Sequence, residues 1–451
     1  MSDGEDSDSY TSVNDSTSVS DKYKREMGRL RSSPTFRLSI LFTSISKNPF
    51  SILWLPLSIV NLLFTIVSER LGKKPSYTDS EAFETSQNNR NCIVFFPTNG
   101  VGFGHLTRTL AIARRMRYID PSLEIVFFTT MPVLHILQDE GFPAYHIPNR
   151  DKFNKMEANV WNSICEELIS NIFTVHRPKA FVFDGSYPYR GMLNAIKRRD
   201  DIVRAWIRRG SFKVGASSVP SDSFNHFDLL IRPGDSVEIT PNEVEIPIPL
   251  LMCDPVTLFD KNELKSPEIL RNRLGIPLDS TVAYLQLGAG KINDIFSDIA
   301  ITIDVLKEFG VWVVIGESML GDRIENSEFD NVRIIRDYPN SQYFDSFDFG
   351  IISGGYNSFH EAISFQLPCI CIPNKKTGID NQYARAAIAD ESGCMFIIDE
   401  VTRPKMKILV SKIVEENTRS KMSHASKSLK KENGASQIAT HILDLFPNSV
   451  D

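Results

Sequence analysis

The chain has 451 residues, 42% of them hydrophobic and 24% charged, with a formal net charge of −6. That length has room for two ordinary domains plus extensions, and the composition is that of a globular protein, which excludes a wholly disordered chain. The acidic balance argues against nucleic acid as a general partner. The six cysteines, at 92, 165, 253, 369, 371 and 394, are scattered, and Cys369-x-Cys371 lacks the spacing of a zinc knuckle. They read as buried reduced thiols of a cytosolic enzyme.

Residues 1–35 read as a disordered tail, because the first 21 hold six acidic residues, no basic ones and many serines. Asp6-Ser7-Asp8 has the spacing of a metal-binding pair, but a disordered tail cannot place a metal. The sign of the charge then flips, and residues 36–74 read as a basic and apolar membrane-associating segment. Between 22 and 47 there are seven basic residues against Glu26 alone, and the apolar run 50–67 ends at Arg70, Lys73 and Lys74. Eighteen residues is the lower edge of what spans a bilayer, and Pro56 and Asn61 interrupt it. Ser51, Ser58, Asn61 and Thr65 share one helical face, which suits a helix lying in the interface or packed on protein. The expected location is the cytoplasmic face of a membrane, peripheral or monotopic; a true span and a helix docked on the enzyme stay open. The run is too far from the start to be a signal peptide.

Residues 75–90 read as a linker. A first α/β domain over 91–240 shows strand-like runs at 92–97, 123–129, 179–184 and 202–207, with helical segments at 106–116 and 161–173 and a last strand at 227–231. Four prolines between 241 and 255 suggest an interdomain linker. A second domain over 263–425 repeats the alternation, with strands at 281–287, 311–316, 331–335, 347–352, 369–372 and 395–398. Residues 426–447 end in a helix. This βα alternation predicts two parallel, doubly wound, Rossmann-like sheets.

The stretch 349–382 carries the most information. An apolar strand runs into Gly354 and Gly355, which let the backbone turn and approach a ligand. Asn357 and Ser358 are good N-cap residues for the helix that follows. A strand, a glycine turn and a helix N-terminus together make an anion site. Glu361, read on the first turn, can accept two hydrogen bonds from a ribose diol. This stretch resembles the nucleotide-sugar signature of GT-B glycosyltransferases, roughly His-Cys-Gly-Trp-Asn-Ser-x-x-Glu followed by Gly-Val-Pro, a second Pro and Asp-Gln. Gly355, Tyr356, Asn357, Ser358 and Glu361 match the spacing, followed by Leu367-Pro368, Pro373, Asp380 and Gln382. Ser353 stands where many members have a phosphate-binding histidine, and Asn381 splits the Asp-Gln pair, so diphosphate binding falls more to backbone amides. The resemblance implies a cleft between two Rossmann-like domains, a UDP-sugar as donor, no cofactor, and a C-terminal helix returning to the first domain.

The first strand leads into Gly100, Gly102, Gly104, His105 and Arg108. The glycine spacing is not that of a dinucleotide fingerprint. His105 lies at a helix N-terminus, where the dipole favours the neutral imidazole that a general base requires. It reads as a base, as an acceptor-positioning residue, or as a structural one. The pattern looks like the first loop of lipid-linked UDP-sugar transferases such as the peptidoglycan N-acetylglucosaminyltransferase, and like that of UDP-sugar hydrolases. Asp184, at a strand's carboxyl end, either orients His105, acts as the base, or caps a helix. Arg108 pairs with a phosphate or with Asp184. In the second domain Gly288, Gly290 and Lys291 form a phosphate-cradling turn, and Tyr338 is placed to pack on a base.

Together these features predict a metal-independent, inverting hexosyl- or N-acetylhexosaminyltransferase, with a lipid or lipid-linked glycan as acceptor. UDP-sugar hydrolysis or epimerisation on the same fold, and a non-catalytic subunit, are the alternatives.

Overall fold

A computed structural model describes residues 33–47, 49–71, 89–98, 102–150, 155–197, 199–209, 219–235, 246–288, 295–319, 330–377 and 380–446. The chain divides into two compact units, one of Met1–Asn88 with Met156–Val175, the other of Asn89–Lys155 with His176–Asp451. In the first, helices Pro34–Lys47 and Leu55–Arg70 are joined by the 3-10 helix Pro49–Trp54. Pro56 is the second residue of its helix, where a missing N–H costs nothing, so it starts the helix instead of interrupting it. At 16 residues this helix is about 24 Å long, short of the roughly 30 Å hydrocarbon core. Among the described residues, no helix is long and apolar enough to cross a membrane.

The second unit holds two parallel sheets. The first contains β1 (Cys92–Pro97), β2 (Glu124–Thr129), β3 (Ala144–His146), β4 (Ala180–Asp184), β5 (Val203–Ile207), β6 (Leu229–Pro233) and β7 (Leu250–Cys253), in the order β3-β2-β1-β4-β5-β6-β7. The second contains β8 (Val282–Gln286), β9 (Trp312–Gly316), β10 (Val332–Ile335), β11 (Phe349–Ile352), β12 (Cys369–Cys371) and β13 (Met395–Ile397), in the order β10-β9-β8-β11-β12-β13. Both orders reverse direction once, between β1 and β4 and between β8 and β11. In open α/β sheets such switch points, at the carboxyl ends of the strands, are where ligands bind. The strands are continuous apolar runs because both faces are covered. In β1 every residue is buried, and Phe95 stacks on Phe127 at 5.4 Å while Phe96 meets Phe128 at 4.7 Å.

Two strands differ from expectation. The first sheet does not end at 227–231: β7 lies inside the proline-rich segment read as a linker and pairs with β6 at the sheet edge. Pro247 and Pro249 precede β7 and Pro255 follows it, so none interrupts it. The three-residue β3 is only partly buried, so it leaves no apolar run to read.

The C-terminal helix Gly434–Asp444 packs against the helix Gly104–Ile119 under the first sheet. A side chain at Gly434 would run into the Asp254 carbonyl, so the close approach requires glycine there. Asn433 clips this passage to the earlier one: its Nδ2 donates to the Thr257 carbonyl (3.0 Å) and to Asp260 Oδ1 (3.0 Å), and its Oδ1 accepts from Thr257 N (3.3 Å). All six cysteines are free and buried. Burial pushes the thiols of Cys92, Cys253 and Cys371 up to about 12, so none of these three is a nucleophile.

Candidate functional site

The first half of the site forms where β1 and β4 end. Residues 99–101 lie outside the described residues, and with them Gly100. Gly102 and Gly104 border the cleft with open space over their Cα atoms. His105 is the second residue of the helix Gly104–Ile119, and its Nδ1 lies 2.7 Å from Asp184 Oδ1. Arg108, one turn on, donates from Nε to Asp184 Oδ2 (2.8 Å) and from Nη2 to Oδ1 (2.6 Å). Asp184 is wholly buried. Burial alone would raise its pKa, but Arg108 and then His105 outweigh it and hold the carboxyl below the ordinary range. An ionised Asp184 keeps the histidine proton on Nδ1 and leaves Nε2 for the cleft that His105 lines. With both its oxygens taken and no exposure, Asp184 orients His105 and is not itself placed as a base. Arg108 pairs with Asp184, not with a free phosphate position.

The second half forms where β8 and β11 end. Gly288 (φ +95°) and Gly354 (φ +74°) hold left-handed turns, and a Cβ on Gly354 would lie 2.8 Å from Cys371 Sγ. The helix Tyr356–Phe365 starts at Gly355, so Asn357 and Ser358 are not its caps. They sit inside its first turn because the two glycines, not a capping side chain, turn the backbone. Its first amides are therefore uncapped by any side chain and open on the cleft that Gly355, Asn357 and Ser358 line. Glu361 falls in the second turn, not the first. It is buried and accepts from Ser341 Oγ at 2.8 Å, and burial raises its carboxyl to about 7. Gly290 and Lys291 lie outside the described residues. Tyr338 lines the cleft, its hydroxyl 2.8 Å from Thr107 Oγ1 of the first half and its ring centroid 4.9 Å from that of Phe103.

A buried ionic group joins the halves, and most of it leaves no local pattern in the sequence. Arg385 is fully buried; it donates from Nη2 to Asp235 Oδ2 (2.5 Å) and Asp380 Oδ1 (2.9 Å), and from Nη1 to the Gly354 carbonyl (2.9 Å). His360 Nε2 lies 3.3 Å from Asp235 Oδ1. Arg209, just past β5, reaches Asp380 Oδ1 at 3.2 Å and covers the Tyr356 ring at 4.9 Å. Burial and the nearby Arg108 and Arg385 push the Arg209 pKa below its usual range despite Asp380. An incoming anion would offset both effects. Tyr356, where the resembling signature has tryptophan, uses its hydroxyl to donate to the Gly234 carbonyl (2.8 Å) and to accept from Val256 N (3.3 Å). Gln382 accepts from Asn374 N (3.0 Å) and so shapes the loop beside the cleft. Arg209 and Asp235 follow strands β5 and β6 directly, as Asp184 ends β4, and that position is the signal that could have found them.

His105, Arg209, Tyr356, Glu361, Asp380 and Gln382 are among the residues lining a cleft of about 510 Å³, within the usual range for small-molecule sites. No family model and no curated protein matches the sequence. Solved structures do resemble it. The glycotransferase of kitacinnamycin aligns with a TM-score of 0.56 at 14% identity over 79% of this chain and 99% of that one. MurG of Acinetobacter baumannii aligns with 0.51 at 13% over 78% and 99%. Medicago truncatula UGT71G1, solved with UDP-glucose, aligns with 0.50 at 14% over 82% and 100%. The chain has the GT-B fold. In this GT-B chain the cleft takes His105 and Arg209 from the first sheet and Gly355, Glu361, Asp380 and Gln382 from the second.

One prediction follows from Glu361. Because folding raises its pKa from 4.5 to about 7, its protonated form contributes stability in acid, and that contribution is lost as pH rises through 7. A ribose diol needs the ionised carboxylate as a double acceptor, so the same pH rise should strengthen nucleotide binding. UDP affinity should increase about tenfold from pH 6 to 8 beyond any change shown by Glu361→Gln. Calorimetry across that range on both proteins checks it; parallel curves would remove Glu361 from the ribose.

Proposed function

We propose that this protein is a metal-independent, inverting glycosyltransferase that moves a hexosyl or N-acetylhexosaminyl group from a UDP-sugar to an acceptor hydroxyl. The acceptor is a lipid or lipid-linked glycan at the cytoplasmic face of a membrane. The observation that carries this reading is His105, hydrogen-bonded to a buried, ionised Asp184, in the same cleft as Glu361 and the open helix N-terminus at Gly355.

In this mechanism His105 Nε2 takes the acceptor's proton as the acceptor oxygen bonds to the anomeric carbon. The bond from that carbon to the diphosphate breaks, and UDP leaves with the electron pair. The amides at the start of the helix Tyr356–Phe365 and the Arg209 guanidinium stabilise the charge that develops on it. Asp380 and Gln382 face the sugar end of the donor. No cofactor is needed for this displacement. Charge on the diphosphate is met by amides and arginine, which is the support for metal independence. Among the described residues, the one grouping of metal-type side chains, Cys92, Glu124 and His176, lies at the amino ends of β1 and β2, opposite the cleft.

The test is a panel of UDP-sugars with and without lipid extracts, in EDTA. UDP release that depends on acceptor and survives the chelator is expected. Release without acceptor would indicate a hydrolase, no release a non-catalytic subunit, and activity restored only by manganese or magnesium a metal-dependent enzyme.

A further inference from the structure

We propose that the helical pair Pro34–Lys47 and Leu55–Arg70, with the 3-10 helix between them, docks on the surface of an anionic lipid bilayer by an apolar stripe. Leu53, Leu57, Val60, Phe64, Val67 and Leu71 recur every three or four residues, and each is more than half exposed. At 100° per residue they form one continuous line along the helix. The stripe widens at the 3-10 helix, where Phe50 is 78% and Trp54 66% exposed. An apolar face that long is not left to water without a partner.

Three observations point to lipid. First, four hydroxyls of these helices are satisfied within their own helix. Ser39 Oγ donates to the Phe36 carbonyl (2.7 Å), Thr43 Oγ1 to Ser39 (2.7 Å), Ser58 Oγ to Trp54 (2.9 Å) and Thr65 Oγ1 to Asn61 (2.8 Å). Hydroxyls turned back on their own helix are what a hydrocarbon surface requires, whereas a protein interface uses such groups to specify its partner. On the face read from the sequence as suiting a helix in the interface or packed on protein, Ser58 and Thr65 are thus self-satisfied, and Asn61 at the edge of the apolar line is exposed. Second, residues 48–68 contain no charged side chain, so the stripe lacks the flanking ion pairs that would register a second helix against it. Third, basic residues bracket it in sequence: seven between 22 and 47, of which Arg37 is buried, then Arg70, Lys73 and Lys74. Basic flanks around an apolar face match anionic headgroups around hydrocarbon. Since the helix is too short to cross, it lies in one leaflet.

This docking does not depend on sugar transfer, and its test keeps the two apart. The full chain is floated with phosphatidylglycerol-containing and pure phosphatidylcholine vesicles at low and high salt, beside a Leu57→Glu/Phe64→Glu variant. UDP affinity of both proteins is measured by calorimetry. The full chain should float with the anionic vesicles and stay with them at high salt, because apolar insertion resists screening. The variant should lose at least about tenfold of the bound fraction, as two charges enter the apolar face, with UDP affinity unchanged. A full chain that stays in the soluble fraction, or leaves the vesicles at high salt, would overturn apolar docking. So would a dimer in solution that the variant splits, since a second copy would then cover the stripe.

Discussion

Replacing His105 with alanine should lower turnover by about two to four orders of magnitude while leaving UDP affinity nearly unchanged. Its Nδ1 lies 2.7 Å from Asp184 Oδ1 and 3.1 Å from Arg108 Nη2, both groups of the first half. Losing it therefore removes a proton acceptor from the cleft without disturbing the turn at Gly354 and Gly355. Asp184→Asn gives the companion result. The amide cannot hold the proton on Nδ1 as a carboxylate does, and Arg108 loses its counter-charge, so turnover should fall and the protein should also lose stability. Steady-state rates with calorimetric UDP binding separate the two. A His105→Ala enzyme within tenfold of the parent would make the histidine an acceptor-positioning residue.

Arg385→Met should destabilise the fold by about 3–5 kcal/mol, the usual cost of leaving buried charge unpaired. Arg385 is the cation between Asp235 and Asp380, and it also satisfies the Gly354 carbonyl at the turn before the helix Tyr356–Phe365. Burial opposes ionisation of Asp235, but His360 and Arg385 hold its carboxyl far below the ordinary range. A carboxyl held that low contributes stability above its unfolded pKa, lost only as pH falls through the folded value, so the parent's contribution is flat across neutral pH. In the variant Asp235 keeps its burial and loses its cation, so a new gain in stability on acidification should appear. Urea unfolding at several pH values checks both, and adding Asp235→Asn to the variant should restore part of the loss. An Arg385→Met protein as stable as the parent would show that the ionic group is dispensable.

Most of the sheet architecture was readable because a parallel strand covered on both faces is a short uninterrupted apolar run, as 92–97 and 347–352 are. The strands that escaped, β3 and β7, sit at the sheet edge or are partly exposed, where that signal fades. The site was readable where one local stretch carries it, as with His105 and Arg108, or Gly354 through Glu361. Asn357 and Ser358 were misplaced by a few residues because cap propensity competes poorly with two glycines that force the turn. Strand ends flag Arg209 and Asp235 singly, but the bonds that join them with His360, Asp380 and Arg385 were not readable, since they link residues as far as 171 apart in sequence. Only the pairing of two sheets brings those charges together.

The clip at Asn433 has a mechanical consequence. The backbone passes between the two sheets twice, once after β7 and once before the last helix, and Asn433 fastens one passage to the other at Thr257 and Asp260. Two tethers fixed at one point behave as a fulcrum: the halves can swing like jaws, but sliding apart would break the clip. On the proposed function, admitting a donor and releasing UDP become one angular motion about that pivot. Loosening the helix Gly434–Asp444 would change how far the jaws open while leaving the residues that line the cleft in place.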